Sequence, residues 1–403
     1  MTEEGPQAVC IVGGEVFAHD RVIQGGCVLT RDGLIAAVGT RSEITVPSDA
    51  EVLDAIGLRV VPGLIDLHLH GALGQDAATG DIGLISEALA KQGVTTFLAT
   101  VAPTQYNDLI DALQHLGQKA ECRDQVAQPS HRHRGRACLS GARMAGIYLE
   151  GPYISPDRAG VLSADFFRRP RIAEAAELLR AGRGAVRVIT VAPELDGAQE
   201  LIAWLSTQRV VPSVGHSEAS LGQVDEAIRR GLRHATHVFN AMPQFHHRDP
   251  GVVGAVLTRP EIVAEVIADG HHLHPITLDI VVRLKGPDRV CLVSDLTPLA
   301  GLPPGVYTWL GQRVAIGGGA ARLENGTLAG SITPLNQALR YLIEATGLPL
   351  EIALRTATST PARVLALNTG AIEVGRDADI VALDPKFEAQ LTMVRGRVVN
   401  RKM

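Results

Sequence analysis

The chain has 403 residues, more than one ordinary core uses and about enough for a barrel of ~250 residues plus a satellite domain. Hydrophobic residues make up 46% and charged residues 20%, with 42 glycines, which excludes disordered and fibrous chains. A net charge of −5 leaves no broad basic footprint, and 3% aromatic residues supply few stacking platforms, so no nucleic-acid partner is expected.

The start, MTEEGPQAVC, carries acids where a signal peptide needs a basic stretch, and no apolar run reaches the ~18 residues of a spanning helix. Cys10, Cys27, Cys122, Cys138 and Cys291 are odd in number, widely spaced and lack a CxxC pair, so they read as free thiols in a reducing compartment. The expectation is a cytoplasmic protein with no membrane partner.

The first sixty residues are short apolar runs, AVCIVGGEVF, RVIQGGCVLT and LIAAVG, separated by Gly-Gly and Asp-Gly turns, as in a small β-domain. The C-terminal runs GRDADIVALD and LTMVRGRVVN have the same style. The two ends, residues 1–60 and 367–403, are therefore expected to pair in one β-sandwich domain, with residues 61–366 inserted between them. That insert alternates apolar strands (GVTTFLATV, AGIYLEG, AVRVITVAPE, RVVPSVGHS, ATHVFNA, RVCLVSD) with helical stretches. Seven or eight such units predict a parallel α/β barrel or a doubly wound sheet. The polar, basic segment CRDQVAQPSHRHRGRACLSGAR is expected to be a loop, and GVYTWLGQRVAIGGGAARLENGTLAG a β-hairpin excursion.

The chemistry-bearing residues sit where these strands end. VVPGLIDLHLHG places His68 and His70 two residues apart, so both leave one face of a strand, and neutral imidazoles there can share a metal ion. Glu150 ends IYLEGP, His216 ends VVPSVGH, His237 sits in ATHVFNA and Asp295 ends VCLVSD. Singly, each reads as a satisfied histidine or a helix-capping carboxylate. Jointly they sit where barrel enzymes carry catalytic groups, and such a buried cluster needs a cation to offset its charge. A divalent ion held by Glu150, His216 and His237 with an open position lowers the pKa of water towards ~7. Asp295 is then placed to take that proton and return it to a leaving amine. A second ion at the HxH pair would make the site binuclear.

At these motifs the sequence resembles the amidohydrolase superfamily and, within it, the N-acetylglucosamine-6-phosphate deacetylases. The likeness runs from VVPGLIDLHLHG through LEGPYISP, TVAPE, VGHSEAS, ATHVFNAMPQFHHRDPG, IADGHHLHP, LVSD and TLAGS to GRDADIVALD, nearly the whole chain. The run from His216 to Gly251 is its most specific part, since another superfamily member would share the HxH and the Asp without FNAM followed by HHRDPG.

The resemblance implies a TIM-like (β/α)8 barrel flanked by the β-domain, a homodimer, and one or two divalent ions per chain, zinc or iron. Glu150, His216 and His237 match the main metal ligands, and Asp295 the catalytic acid and base. His68 and His70 match a pair that some members use for a second metal. Asn240, Ala241 and His272 match substrate contacts, and Arg248 an arginine that reaches the phosphate held by the neighbouring subunit. The implied small-molecule partner is an N-acetylated sugar phosphate, deacetylated to acetate and the free amine. His246, His247, His271 and His274 are expected to do ordinary loop and surface work.

Two departures touch the sugar pocket. Leu162 stands where a substrate-contacting histidine is expected, and Ile332 follows the Ser of TLAGS in place of a methionine. They keep a rival in view, an amidohydrolase acting on another N-acyl or cyclic amide with the same metal core. Intact Glu150, His216, His237 and Asp295 argue against a second rival, a barrel retained only for binding or assembly.

Overall fold

The computed structural model describes residues 8–121 and 139–403. Cys122, Cys138 and the SHRHR run lie outside the described residues.

Eight strands form one sheet in chain order, Leu64–Leu69, Val94–Val101, Arg143–Tyr153, Val186–Val191, Val211–Val214, His234–Ala235, Val263–Ile267 and Val290–Val293. Every neighbouring pair is parallel. Strands such as VTTFLATV, buried at every position, suit this arrangement because helices cover one face and the barrel interior the other. A parallel bridge between Leu69 and Leu296 joins the last strand to the first, so the sheet closes as a barrel rather than opening into a doubly wound fold. The helices between strands, from Ile82–Ala90 to Leu335–Thr346, lay their apolar sides on the outer surface in one large core that includes Leu89, Leu113, Leu205, Val256 and Leu339. Inside the barrel, Leu67, Leu98, Tyr148, Val188 and Val293 pack with Leu365 in a separate cluster.

The two ends of the chain share a second, mixed sheet. Its order is Arg397–Arg401, Ala389–Val394, Ile380–Leu383, Arg59–Pro62, Ala8–Phe17, Val22–Arg31 and Leu34–Thr40, with Glu51–Asp54 also pairing to Ala8–Phe17. Alternation divides its first strand: Val9 and Ile11 enter one apolar cluster with Ile380, Leu391 and Met393, and Ala8 and Cys10 enter another with Cys27 and Leu29. The amide of Ala378 donates to the Gly33 carbonyl (2.8 Å), tying the early hairpin to the late strands.

The excursion after the eighth barrel strand is larger than the expected hairpin. It is a three-stranded antiparallel meander, Gly305–Trp309, Gln312–Gly317 and Ala320–Leu323, with its own core of Leu299, Trp309, Val314 and Ile316. Among the described residues no helix is long and apolar enough to cross a membrane.

Candidate active site at the barrel mouth

The first barrel strand, LIDLHL, is buried at every position. Its pairing with the second strand slips between Asp66 (opposite Phe97) and Leu69 (opposite Ala99), three residues advancing against two. Such a bulge re-aims side chains, here just where His68 and His70 leave the strand. The bonds that close the barrel then lock this pair to the eighth strand: the Asp295 amide donates to the His68 carbonyl (2.9 Å) and the His70 amide to the Leu296 carbonyl (2.6 Å). His216, His237 and Asp295 turn out of their strands with positive φ (47°, 24° and 50°), a conformation non-glycine residues hold only where the surroundings impose it.

All six of these side chains converge. Glu150 Oε1 lies 3.0 Å from His216 Nε2 and 2.9 Å from His237 Nε2, and the two imidazole nitrogens are 3.2 Å apart. His70 Nε2 sits 3.2 Å from Glu150 Oε2 and 3.5 Å from Asp295 Oδ1, and His68 Nε2 is 3.7 Å from the same Asp295 oxygen. The six form two donor groups, His68, His70 and Asp295, and Glu150, His216 and His237, each buried.

This donor set fits a divalent cation. A tetrahedron with bonds of ~2.0–2.1 Å places its donors ~3.3 Å apart, close to the spacings of Glu150, His216 and His237. Nδ1 of His216 meets the Arg158 carbonyl at 2.7 Å and must donate to it, which leaves the Nε2 lone pair for the site. In the same way Nδ1 of His68 donates to Glu265 (3.1 Å), and His68 Nε2 is left buried with no hydrogen-bond partner. An orphaned ring nitrogen costs free energy unless something binds it.

The charges give the same reading. Burial would raise the Glu150 pKa, yet hydrogen bonds from His216, His237 and His70 hold it well below the usual carboxylate range. Burial would lower His70 and His237, but bonds to Asp295 and Glu150 push His70 up to about 10, and Glu150 pushes His237 up to about 9. Imidazolium protons thus balance the carboxylates where a metal cation would otherwise do so.

Above the donors lies a cavity of about 230 Å³. Asn240, Ala241, Leu162 and His272 all line it, together with Trp309 and Leu328. The Asn240 side-chain amide donates to the His237 carbonyl (3.2 Å), and His272 Nδ1 is held by Asp269 (2.7 Å), which leaves its Nε2 free for a ligand. Arg248 does not line the cavity. It lies in an exposed loop with its guanidinium 2.8 Å from His247 Nε2. His274 caps the helix Pro275–Lys285 by accepting from the Ile276 amide, ordinary structural work as expected.

Two buried acids escaped sequence reasoning. Glu265 holds His68 and accepts from the His237 amide (3.2 Å), so one carboxylate braces both donor groups. Asp66 accepts from the amides of Ser294 (3.2 Å) and His68 (3.4 Å), and its burial pushes its pKa up to about 6. The signal was a lone carboxylate inside an apolar strand, as in VAEVIAD, where a charge is costly unless paired. Trp309 was hidden in the meander, with no nearby motif to mark it.

The sequence model of the amidohydrolase family matches residues 59–399. The chain belongs to the amidohydrolase family. It is therefore a hydrolase of carbon–nitrogen bonds. It is 33% identical to the N-acetylglucosamine-6-phosphate deacetylase of Bacillus subtilis, with 95% of each chain covered. It is equally 33% identical to the N-acetylgalactosamine-6-phosphate deacetylase of Escherichia coli O157:H7, covering 92% of this chain and 93% of that one. Among solved structures, a point mutant of the Mycobacterium smegmatis N-acetyl-D-glucosamine-6-phosphate deacetylase in complex with N-acetyl-D-glucosamine-6-phosphate superposes with a TM-score of 0.87 at 30% identity. That match covers 98% of this chain and 99% of the other.

Proposed function

We propose that this amidohydrolase removes the acetyl group from an N-acetylated hexosamine 6-phosphate, N-acetylglucosamine 6-phosphate first, giving acetate and the free amino sugar phosphate. The observation that carries this reading is the placement of the Glu150, His216 and His237 donors and of Asp295 in one cavity with Asn240, Ala241 and His272. Its nearest support outside the site is the set of deacetylase relatives, which act on gluco and galacto phosphates at the same identity.

Glu150, His216 and His237 would hold a zinc or iron ion, and His68, His70 and Asp295 a second one in a binuclear form, which would supply Lewis acidity and lower the pKa of water. Burial would raise the Asp295 pKa, but the His70 hydrogen bond and the charges of His68 and His70 hold it low, so the carboxylate is ionised at neutral pH. It is thus ready to accept a proton from attacking water and deliver it to the leaving nitrogen. Asn240 and the Ala241 backbone position the substrate, and His272 offers Nε2 to its polar groups. Arg248, on an exposed loop, reaches the phosphate subsite of a second protomer in a homodimer, where a guanidinium binds phosphate with two parallel bonds. The division of labour is a barrel of residues 61–366 and a β-domain of 1–60 and 367–403, in a cytoplasmic enzyme.

Leu162 favours a second reading. It is buried against Ala102 and Ile154, lines the cavity and can donate no hydrogen bond. A site that lacks such a bond discriminates weakly between hydroxyl patterns, so tolerance of other epimers, or an N-acyl substrate more apolar at that point, follows. Metal analysis coupled to acetate release from the N-acetylated gluco, galacto and manno 6-phosphates and from N-acyl amino acids tests both readings. Full metal content without turnover of any hexosamine phosphate rules out the first, and an exclusive gluco preference rules out the second. Replacing Arg248 by Ala is expected to weaken phosphorylated substrates far more than their unphosphorylated analogues.

A further inference from the structure

The roles proposed above concern the sugar, its phosphate and the scissile bond, and none concerns the acyl group. Two walls of the 230 Å³ cavity, His70 and Trp309, are shared with a second cavity of about 700 Å³. The larger one runs between the end of the second barrel strand (Thr100, Ala102), the helix Tyr106–Glu121 and the meander tip. Trp309 stands at the boundary. Its ring meets His70 edge-on with centroids 5.4 Å apart, and its Nε1 donates to Asp76 Oδ2 at 3.2 Å. It is buried against Leu299, Val314 and Ile316, and the tip is fastened to the segment before Leu162 by Gln312, which donates to the Val161 carbonyl (2.5 Å). The indole is therefore held from several sides.

Topology says which part of a substrate faces it. Asn240 and Ala241 follow the sixth barrel strand, while Thr100 lies at the end of the second and Ala102 just beyond it. Four places apart in a ring of eight is the opposite side. With the sugar at Asn240 and the amide carbon at the donors, the acyl group points towards His70 and Trp309.

We infer that Trp309 sets the length of the N-acyl group this enzyme accepts: the indole closes the pocket after an acetyl, and without it the two cavities join and longer uncharged acyl chains fit. This rests on the deacetylase reading. The near lining of the larger cavity, Ala78, Ala102 and Leu310, suits methylene groups, while Asp76, Asp108 and Asp111 repel an acyl chain ending in a carboxylate.

The test is kcat/KM for the N-acetyl, N-propionyl, N-butyryl, N-hexanoyl and N-succinyl derivatives of glucosamine 6-phosphate, with wild type, Trp309→Ala and Trp309→Phe at verified metal content and melting temperature. Wild type is expected to lose roughly 10-fold or more per added methylene, since a closed apolar pocket discriminates on that scale. Trp309→Ala is expected to raise the butyryl-to-acetyl ratio by about 10-fold or more, with N-succinyl poor throughout. Trp309→Phe, which keeps a ring in the meander core, shifts the ratio less and carries the test if the alanine variant does not fold. An unchanged ladder in a folded, metal-loaded variant overturns the assignment of Trp309 while leaving the deacetylase reading intact. A wild type that turns over no N-acyl hexosamine phosphate overturns both.

Discussion

The terminal sheet and the barrel mouth use the same alternation of buried side chains in opposite ways. In the sheet the buried strand positions are uncharged and, apart from Thr30 and Thr392, apolar: Val9, Ile11, Val28, Leu391 and Met393 on one side, Ala8, Cys10, Cys27 and Leu29 on the other. Even the Cys10 thiol is quiet, since burial and then its hydrogen bond with the Cys27 sulfur (3.0 Å) push it up to about 12. At the mouth the corresponding positions hold four histidines and the carboxylates Glu150, Glu265 and Asp295, with orphaned ring nitrogens at His68 and His237. Backbone strain gathers there too, at His216, His237 and Asp295. The contrast teaches that stability comes from regions like the sheet, and that the mouth keeps a costly arrangement because barrel closure and surrounding burial impose it.

Four experiments break or sharpen that contrast. Asp295→Asn keeps size and removes the proton acceptor, so kcat is expected to fall about 10²- to 10⁴-fold with the metal of Glu150, His216 and His237 retained. Near-normal turnover takes Asp295 out of the mechanism. Leu391→Ala empties a fully buried site in the sheet and is expected to cost about 2–5 kcal/mol in denaturant unfolding, with kcat and metal content unchanged. A kinetic defect in that variant shows the two regions to be coupled.

Glu265→Gln removes the charge that orients His68, and an expected ~10- to 100-fold weakening of metal binding, read by competition with a chelator, measures what the bracing contributes. Equal affinity in the variant and the wild type makes Glu265 a passive core residue. The smallest effect concerns the chelated protein, in which His70 is raised to about 10 and His237 to about 9. A raised folded pKa stabilises fully below the unfolded value of about 6.5, and that stability is lost as pH rises through the folded pKa. Scanning calorimetry should therefore show the melting temperature of the chelated protein falling from about pH 6.5 to about 10. The metal-loaded protein should resist this decline, because bound metal replaces those protons. Identical pH profiles for the two forms contradict the charge balance assigned to the cluster.

Local pattern in the sequence alone put His68 and His70 together at the end of one apolar strand and Glu150, His216, His237 and Asp295 on or just after four others (the strand of Glu150, Arg143–Tyr153, runs on past it), because strand alternation and strand ends are written within a few residues of each side chain. It also determined that both ends of the chain carry short strands of one style. The strand and helix rhythm by itself allowed a barrel or a doubly wound sheet, the resemblance favoured the barrel, and the Leu69–Leu296 bridge closes it across more than two hundred residues of chain. Only the tertiary structure brought Glu265 to His68, 197 residues away, and Trp309 to His70 and Asp76. The physical reason is range: periodicity reports which way a side chain leaves its own backbone, whereas the partner that makes a buried charge tolerable is supplied by closure of the barrel.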